Sequence, residues 1–228
     1  MIRSATLLAL GSALFLAACS GGPDAYSSRA SQFKIYRDAF KVALAPKREP
    51  TVLTPAYVAN LPVSAIEVVV EDRDATALVA PYFDRTDGRP GAIRTWRTGN
   101  DSQIVLRDGV LIATRGLGND LSSSRVSSVV KSVRTRNPVS GPHNLFVLGH
   151  DNQTTRIDLE CDMQSLGQKT IEIVQMSHNV LHFQENCTGP QGPVTNDYWI
   201  DRYDSTIWQS RQWGGPFLGY LRMRLLKQ

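Results

Sequence analysis

Apolar residues recur at every second position along much of the chain from Ala65 to the C-terminus. The clearest run places an apolar set on one side and an acidic set on the other: Ile157, Leu159, Cys161 and Met163 against Asp158, Glu160 and Asp162. A repeat of two residues is the period of a β-strand, whose successive side chains point to opposite faces of the sheet. The alternation therefore predicts a mainly β fold in which one face of each strand is buried.

Turn residues separate these alternating runs at short intervals. The pair Asp108-Gly109 lies between two apolar segments and is a strong signal for a tight β-hairpin. About ten short strands joined by such turns are typical of antiparallel sheets that close or stack on themselves. The expected architecture is an antiparallel β-barrel-like or sandwich domain.

The segment 32–44 departs from this period and predicts one N-terminal helix. Its apolar residues recur at helical spacing, and they are Phe33, Tyr36, Phe40 and Leu44. Pro46 follows and would end the helix. Such a stripe either packs against one end of the sheet or lies on a membrane surface, and the packed arrangement is the expectation adopted for this chain.

The segment from Gly118 to Asn144 has the weakest strand pattern in the second half of the chain. It is rich in serine, and residues 121–150 contain basic but no acidic side chains. The favoured interpretation is a solvated connection with weak strand character. The alternative is a basic loop that meets acidic glycans or lipid phosphates.

The N-terminus has the features of a bacterial export signal. Arg3 precedes an uncharged apolar stretch, Ala5 to Leu16, which is too short to span a bilayer comfortably. The stretch ends in Leu16-Ala17-Ala18-Cys19, which resembles the lipobox of bacterial lipoproteins. These features predict a signal peptide at 1–18, a lipidated tether at 19–31 and a single domain at 32–228.

The predicted anchor is the Cys19 thiol, which would carry diacylglycerol with fatty acyl chains such as palmitate. Several acyl chains hold a soluble domain on a membrane almost irreversibly. The next residue is Ser20 rather than Asp, and by resemblance to the lipoprotein sorting rule this favours the outer membrane, with the periplasmic face favoured over the cell surface. The alternative is an ordinary secretory signal with an unrelated cysteine.

Two cysteines remain after lipidation, Cys161 and Cys187. An exported chain meets an oxidising compartment, so an even pair predicts a disulfide. The alternative is a pair of free buried thiols.

The sequence contains no catalytic or cofactor motif. A Gly-x-Ser-x-Gly elbow and a Gly-x-x-x-x-Gly-Lys loop are both absent. His178 and His182 stand four apart in a segment that reads as a turn entering a strand, where the strand rise would separate them by about 13 Å, so no metal site is expected. The formal charge of +4 is small and its charges are scattered, so no nucleic-acid partner is expected.

Aromatic residues are concentrated near the C-terminus, where seven of the chain's 18 aromatics lie between Tyr198 and Tyr220. Aromatic rings stack on the apolar faces of sugars and dominate protein interfaces. The candidates for glycan or partner contact are Trp199, Tyr203, Trp208, Trp213 and Tyr220. The competing interpretation is that most of these rings fill the core, and it makes Trp208 and Trp213 the candidates for fold-critical residues.

Two segments make the sequence recognisable as a whole. They are Leu106-Arg107-Asp108-Gly109 through Thr114-Arg115-Gly116-Leu117-Gly118-Asn119-Asp120-Leu121, and Asn196-Asp197-Tyr198-Trp199-Ile200-Asp201 followed by Trp208-Gln209-Ser210-Arg211-Gln212-Trp213-Gly214-Gly215-Pro216. In these segments the chain resembles the group 4 capsule polysaccharide lipoprotein family, the YjbF and GfcB lipoproteins. It departs from the family pattern at Asp204-Ser205, where a turn containing glycine is usual.

The resemblance implies an outer-membrane lipoprotein encoded with other genes for capsule or exopolysaccharide production, and a β-barrel-like fold. It brings no catalytic residues with it. The leading hypothesis is a non-enzymatic accessory protein in exopolysaccharide assembly or export, whose partners are the membrane, export proteins or the polymer itself. The alternatives are an enzyme that modifies the polysaccharide and a structural envelope protein without glycan contact.

Overall fold

The computed structural model describes residues 52–149, 151 and 153–228, which fall in one structural unit, Pro50–Gln228. The signal peptide at 1–18, Cys19, the tether at 19–31 and the helix at 32–44 lie outside the described residues. Within the described part, no helix has the length and apolar character needed to cross a membrane.

The described part is mainly β, as the alternation predicts. Its strands are β1 (Ala65–Val70), β2 (Ala75–Arg85), β3 (Ile93–Arg97), β4 (Gln103–Arg107), β5 (Val110–Arg115), β6 (Leu121–Arg125), β7 (Gly141–Leu148), β8 (Thr154–Ile173), β9 (Met176–Thr188), β10 (Val194–Asp201), β11 (Ile207–Trp213) and β12 (Tyr220–Lys227). Two short α-helices accompany them, α1 (Pro55–Ala59) and α2 (Ser127–Thr135), together with a 3₁₀ turn at Glu71–Arg73.

The twelve strands form one antiparallel sheet that curls into a nearly closed barrel. Its order is β5-β4-β3-β2-β1-β12-β11-β10-β9-β8-β7-β6, so the terminal strands β5 and β6 come side by side. Side chains bridge this seam: Leu121 N donates to Thr114 Oγ1 at 3.0 Å, and Arg115 Nη1 donates to the Leu121 carbonyl at 3.3 Å. The barrel-like prediction is therefore confirmed.

The predicted hairpin at Asp108-Gly109 joins β4 to β5. Both residues have positive φ, 45° and 83°, as a two-residue turn matched to the strand twist requires. A Cβ at position 109 would also lie only 2.9 Å from Ile207 Cδ1, so a side chain there would require Ile207 to move.

The segment 118–144 is not a solvated connection, and that expectation was wrong. It contains β6, the start of β7 and helix α2 between them. Three valines bury the inner side of α2 against residues of β3–β5 and β8–β10: Val129, Val130 and Val133. Valine and serine are mediocre helix formers, so tertiary packing rather than intrinsic propensity stabilises α2.

The β8–β9 hairpin is longer than the short strands that the turns predict, with 20 and 13 residues. The register shifts between Ser165 and Gln168. Beyond this irregularity, Ile171 and Ile173 pack with Val58 of α1 and with Trp208 in a separate cluster. Before the irregularity, Cys161 and Met163 contribute to the two larger apolar clusters, so the alternating positions of β8 contribute to three clusters.

The interior contains two larger apolar clusters with a polar layer between them. Along β9, Phe183 belongs to one cluster and Cys187 to the other, and Glu185 lies between them. Along β10, Asn196 takes the same place between Val194 and Tyr198. Glu185 and Asn196 are each only 1% exposed, so the barrel contains polar groups that are cut off from water.

Candidate functional site

The predicted disulfide is present in the barrel wall. Cys161 on β8 and Cys187 on β9 are opposed in the ladder, and their sulfur atoms are bonded. Both residues belong to the larger apolar cluster. The bond therefore ties the long hairpin together at the edge of the polar layer.

The polar layer is organised around the Glu185 carboxylate. His143 Nδ1 on β7 lies 3.2 and 3.3 Å from its two oxygens. Asn196 Nδ2 and Tyr198 Oη donate to Glu185 Oε2 at 2.8 and 3.3 Å. Strands β7 and β10 thus direct polar groups at one buried carboxylate on β9, as a charge that is removed from water requires.

The charge and the hydrogen-bond donors around Glu185 favour its ionised form. Burial alone would raise the pKa of Glu185, but the charge of His143 and the hydrogen bonds from His143, Asn196 and Tyr198 outweigh it and lower that pKa. Burial raises the pKa of Tyr198 well above its usual value, and the neighbouring Glu185 raises it further. The structure therefore holds Glu185 ionised and Tyr198 as a neutral donor.

His143 also reaches Ser124, so that Ser124, His143 and Glu185 form a row. His143 Nε2 lies 3.0 Å from Ser124 Oγ, which matches the spacing of a Ser–His–acid triad. The Ser124 hydroxyl has a second partner, however, because it donates to the Asn144 carbonyl at 3.1 Å. No motif in the sequence reveals this row, since its three members come from β6, β7 and β9.

Four potential metal-ligating side chains meet at this place: His143, Cys161, Glu185 and Cys187. Their ligand atoms lie within 4.8 Å of one another. Because the two sulfurs are bonded to each other, neither is available as a thiolate ligand for a metal such as zinc. With the disulfide formed, the cluster links β8 to β9 through the covalent bond and β7 to β9 through the His143–Glu185 contact.

The outer side of the same strands carries a second set of polar and aromatic groups. Trp199 on β10 stacks on His182 of β9 with ring centroids 4.5 Å apart and planes inclined by 11°. His182 Nε2 and Gln184 Nε2 both lie within hydrogen-bond distance of Asp197 Oδ1, at 2.8 and 3.1 Å. A half-buried ring therefore stands beside a carboxylate and an amide.

Arg211 continues this outer surface on β11. Its guanidinium lies 3.5 Å from the ring centroid of Tyr220 and donates to both Glu71 oxygens at 2.7–3.0 Å. Tyr220 Oη accepts a hydrogen bond from Thr195 N at 3.1 Å. The guanidinium therefore covers the face of the Tyr220 ring, and the β10 backbone fixes the position of its hydroxyl.

Trp208 on β11 lies nearer the tip of the β8–β9 hairpin, where it contacts His178. Its indole Nε1 donates to Asp201 Oδ2 at 2.8 Å, and its ring lies 3.8 Å from that of His178. Burial lowers the pKa of His178, against the opposing effect of Asp201. Burial would raise the pKa of Asp201, but hydrogen bonds from Trp208 and from the backbone N–H groups of Tyr203 and Asp204 lower it overall.

The five predicted contact residues are thus placed as follows. Tyr203 is 76% exposed, and the other four are half-buried: Trp199, Trp208, Trp213 and Tyr220. Trp213 and Tyr220 are opposed in the ladder, and both pack against the larger apolar cluster, but only Tyr220 also stacks on the guanidinium of Arg211 among the cation–ring contacts of the described residues. We name Trp199, Tyr203, Trp208 and Tyr220, with Asp197, Asp201 and Arg211, the outer aromatic surface.

The two histidines of the sequence pattern lie on strand β9, as predicted. Each has partners of its own: His178 contacts Trp208, and His182 contacts Trp199 and Asp197. They therefore help to position the outer aromatic rings. Sequence reasoning identified the rings but missed the carboxylates and the arginine that accompany them, because these looked like ordinary solvated positions of an alternating strand.

Comparison with known proteins gives two findings. The family described as group 4 capsule polysaccharide lipoprotein gfcB, YjbF matches residues 37–226. The crystal structure of the hypothetical lipoprotein YmcC from Escherichia coli (K12) superposes with a TM-score of 0.66 at 18% identity, over 88% of this chain and 96% of that one; it shows the same fold. No curated protein matches the chain.

Proposed function

Because the chain belongs to the YjbF family of group 4 capsule polysaccharide lipoproteins, we propose that it is a non-enzymatic accessory protein in capsule or exopolysaccharide assembly or export. After removal of residues 1–18, lipid on Cys19 holds it at the outer membrane, and the tether 19–31 connects the lipid to the domain 32–228. The domain faces the periplasm, where it meets export proteins or the polymer.

The observation that supports contact with the polymer is the composition of the outer aromatic surface. Sugar rings present C–H faces, which pack on aromatic rings, and hydroxyl groups, which pair with carboxylates and amides. Trp199 offers a ring on β10, where Asp197 and Gln184 offer an acceptor and a donor nearby, and Tyr203 offers an exposed ring in the connection that follows β10.

Affinity electrophoresis through gels containing the host's own polymer tests this proposal. The double variant Trp199→Ala, Tyr203→Ala should lose most of the retardation that the native chain shows. The matched control is Tyr82→Ala, because Tyr82 is also exposed, at 56%, but lies on β2. Equal retardation of the native chain and the double variant would remove the polymer from the proposal and leave a protein partner.

The lipid anchor has a test of its own. The variant Cys19→Ala should leave the protein in the soluble periplasmic fraction, whereas the native chain should sediment with outer membranes. Retention of the variant on the membrane would contradict the anchor.

A polysaccharide-modifying enzyme is the second candidate, and the row Ser124–His143–Glu185 is the specific observation that favours it. In that function Ser124 is the nucleophile and His143 its base. Incubation of the purified chain with the host polymer distinguishes the two functions. Release of sugar or acyl product by the native chain, abolished in Ser124→Ala, would replace the accessory function with the enzymatic one.

A further inference from the structure

A cavity of about 580 Å³ opens at one end of the barrel. The turn between β4 and β5, the C-terminal end of α2 and the connection between β10 and β11 all border it, together with one end each of β1 and β12. We name it the barrel-end cavity. Its volume falls within the range of about 300–1,000 Å³ that is usual for small-molecule sites.

The floor of the barrel-end cavity is mainly apolar, with the buried Ser210 beside Met223 as a polar member. Its apolar part is formed by Ile66, Trp96, Leu106, Met223 and Leu225. The first four are at most 6% exposed, and all five belong to or pack against the larger apolar cluster. The cavity therefore extends from the surface into the hydrophobic core.

The rim is charged, but its charges are paired with one another. Arg94 donates to both oxygens of Asp84 at 2.7 Å, and Arg134 Nη1 lies 3.0 Å from Asp108 Oδ2. The second oxygen of Asp108 accepts the Ala92 N–H at 2.8 Å. The charge of each rim arginine is therefore offset by an aspartate.

We infer that the barrel-end cavity binds the alkyl chain of an amphiphile whose head group is uncharged and hydroxylated. The chain lies on the apolar floor, where it removes hydrocarbon surface from water. The head remains at the mouth beside hydroxyl side chains, which are Ser64, Ser205 and Thr206. An acidic head is disfavoured, because the rim carries Asp204 in addition to the two aspartates that its arginines already pair.

Alkyl maltosides are suitable probes, because they join an uncharged sugar head to chains of defined length. The titration uses residues 19–228 with Cys19→Ser, which are purified without detergent, and keeps each probe below its critical micelle concentration. From octyl to decyl maltoside, binding measured by calorimetry should tighten about 15-fold, the value expected for two buried methylenes. Maltose should give no binding, and decanoate should bind more weakly than decyl maltoside.

A cavity-filling variant locates the site. Leu225→Trp places a larger ring in the cavity and should weaken decyl maltoside binding at least tenfold. The matched control is Leu166→Trp, since Leu166 is 40% exposed on the β8–β9 hairpin and does not border the cavity. Circular dichroism checks that both variants fold. Should Leu225→Trp fail to fold, Thr206→Trp at the mouth replaces it with the same expected loss.

Three results would overturn the inference: equal binding of maltose and decyl maltoside, unchanged binding in the cavity-filling variant, or no binding of any alkyl maltoside. The inference does not depend on polymer contact at the outer aromatic surface. The double variant Trp199→Ala, Tyr203→Ala should keep the native affinity for decyl maltoside, so failure of one proposal is distinguishable from failure of the other.

Discussion

The inner and outer sides of strands β9–β11 use similar chemistry in opposite environments. Inside the barrel, Glu185 faces His143 and is 1% exposed. On the outside, Arg211 pairs with Glu71, and their side chains are 34% and 25% exposed. Each is a carboxylate with a nitrogen partner, but Glu185 points into the barrel from β9, whereas Arg211 points outward from β11 to Glu71 on the 3₁₀ turn.

This difference predicts very different energetic consequences. A buried carboxylate depends on its partners, because removing one member leaves the other as an uncompensated group in a low-dielectric interior. A half-exposed pair is screened by solvent, so water replaces either partner at little cost. The inner layer should therefore control stability, and the outer layer should be free to change for binding.

The largest effect is expected for Glu185→Ala. It removes the acceptor of three side chains, His143, Asn196 and Tyr198, and should lower the free energy of unfolding by about 3–5 kcal/mol. Urea denaturation measures this value. The matched control is Glu160→Ala, because Glu160 is exposed on the neighbouring strand β8 and should change stability by less than about 0.5 kcal/mol. A cost below 1 kcal/mol for Glu185→Ala would show that the inner layer is not a stabilising network.

The disulfide beside the inner layer should rank next. Replacing Cys161 and Cys187 together by Ala opens a loop with a sequence separation of 26 and should cost about 3–4 kcal/mol in the chain-entropy treatment. Chemical reduction of the native chain should give a similar loss. Because the sulfurs lie within 4.8 Å of His143 and Glu185 ligand atoms, the triple variant with Glu185→Ala should deviate from additivity. Strictly additive losses in the free energy of unfolding would show that the disulfide and the polar layer stabilise the fold independently.

A smaller loss is expected for Trp208→Ala. If Trp208 were fully buried in the core, as one interpretation of the sequence has it, its replacement would cost about 3–5 kcal/mol of unfolding free energy. In the structure Trp208 is half-buried, and it packs in the separate cluster with Val58 and Ile173. We therefore expect about 2 kcal/mol by urea denaturation, including the lost hydrogen bond to Asp201. The exposed Tyr203 is the control, and Tyr203→Ala should cost under about 0.5 kcal/mol. Equal losses in the two variants would contradict the burial difference.

The sequence predicts the strands well where alternation is regular and turns are explicit. The hairpin at Asp108-Gly109, the alternation from Ile157 to Met163 and the disulfide are all present. These features depend on local geometry or on a pair of like residues, so one chain contains enough information to find them. The family resemblance, carried by short motifs, is also confirmed.

The inner layer could not be predicted in the same way. Alternation assigns polar residues to the solvent side, but Asn196 alternates with apolar Val194 and Tyr198 on the buried side. The sequence does not predict helix α2 for a related reason, because valine favours strands over helices. The helix is stabilised by packing of its valines against residues of β3–β5 and β8–β10. Both features are decided by contacts between distant segments.

The acid dependence of stability isolates the ionised part of the inner network. The pKa of Glu185 is lowered in the folded state, so its carboxylate contributes stability above the unfolded pKa, and this contribution is lost as the pH falls through the folded pKa. The variant Glu185→Gln should therefore lose less stability than the native chain on acidification. Urea denaturation at a series of acidic pH values measures this difference, and parallel profiles would assign the acid sensitivity to other carboxyl groups.

The smallest effect should come from breaking the outer pair. Glu71 binds Arg211 and lies 3.4 Å from Arg222, yet Glu71→Gln should cost no more than about 1 kcal/mol, because exposed ion pairs gain little over hydration. Added salt should reduce this cost further, since the Debye length falls to about 3 Å at 1 M. The cost of Glu185→Ala should change little with salt, because its partners are buried. A Glu71→Gln loss above 2 kcal/mol that persists in salt would show that the two sides of the sheet share one stabilising network, and the outer aromatic surface would then not be free to vary independently of the fold.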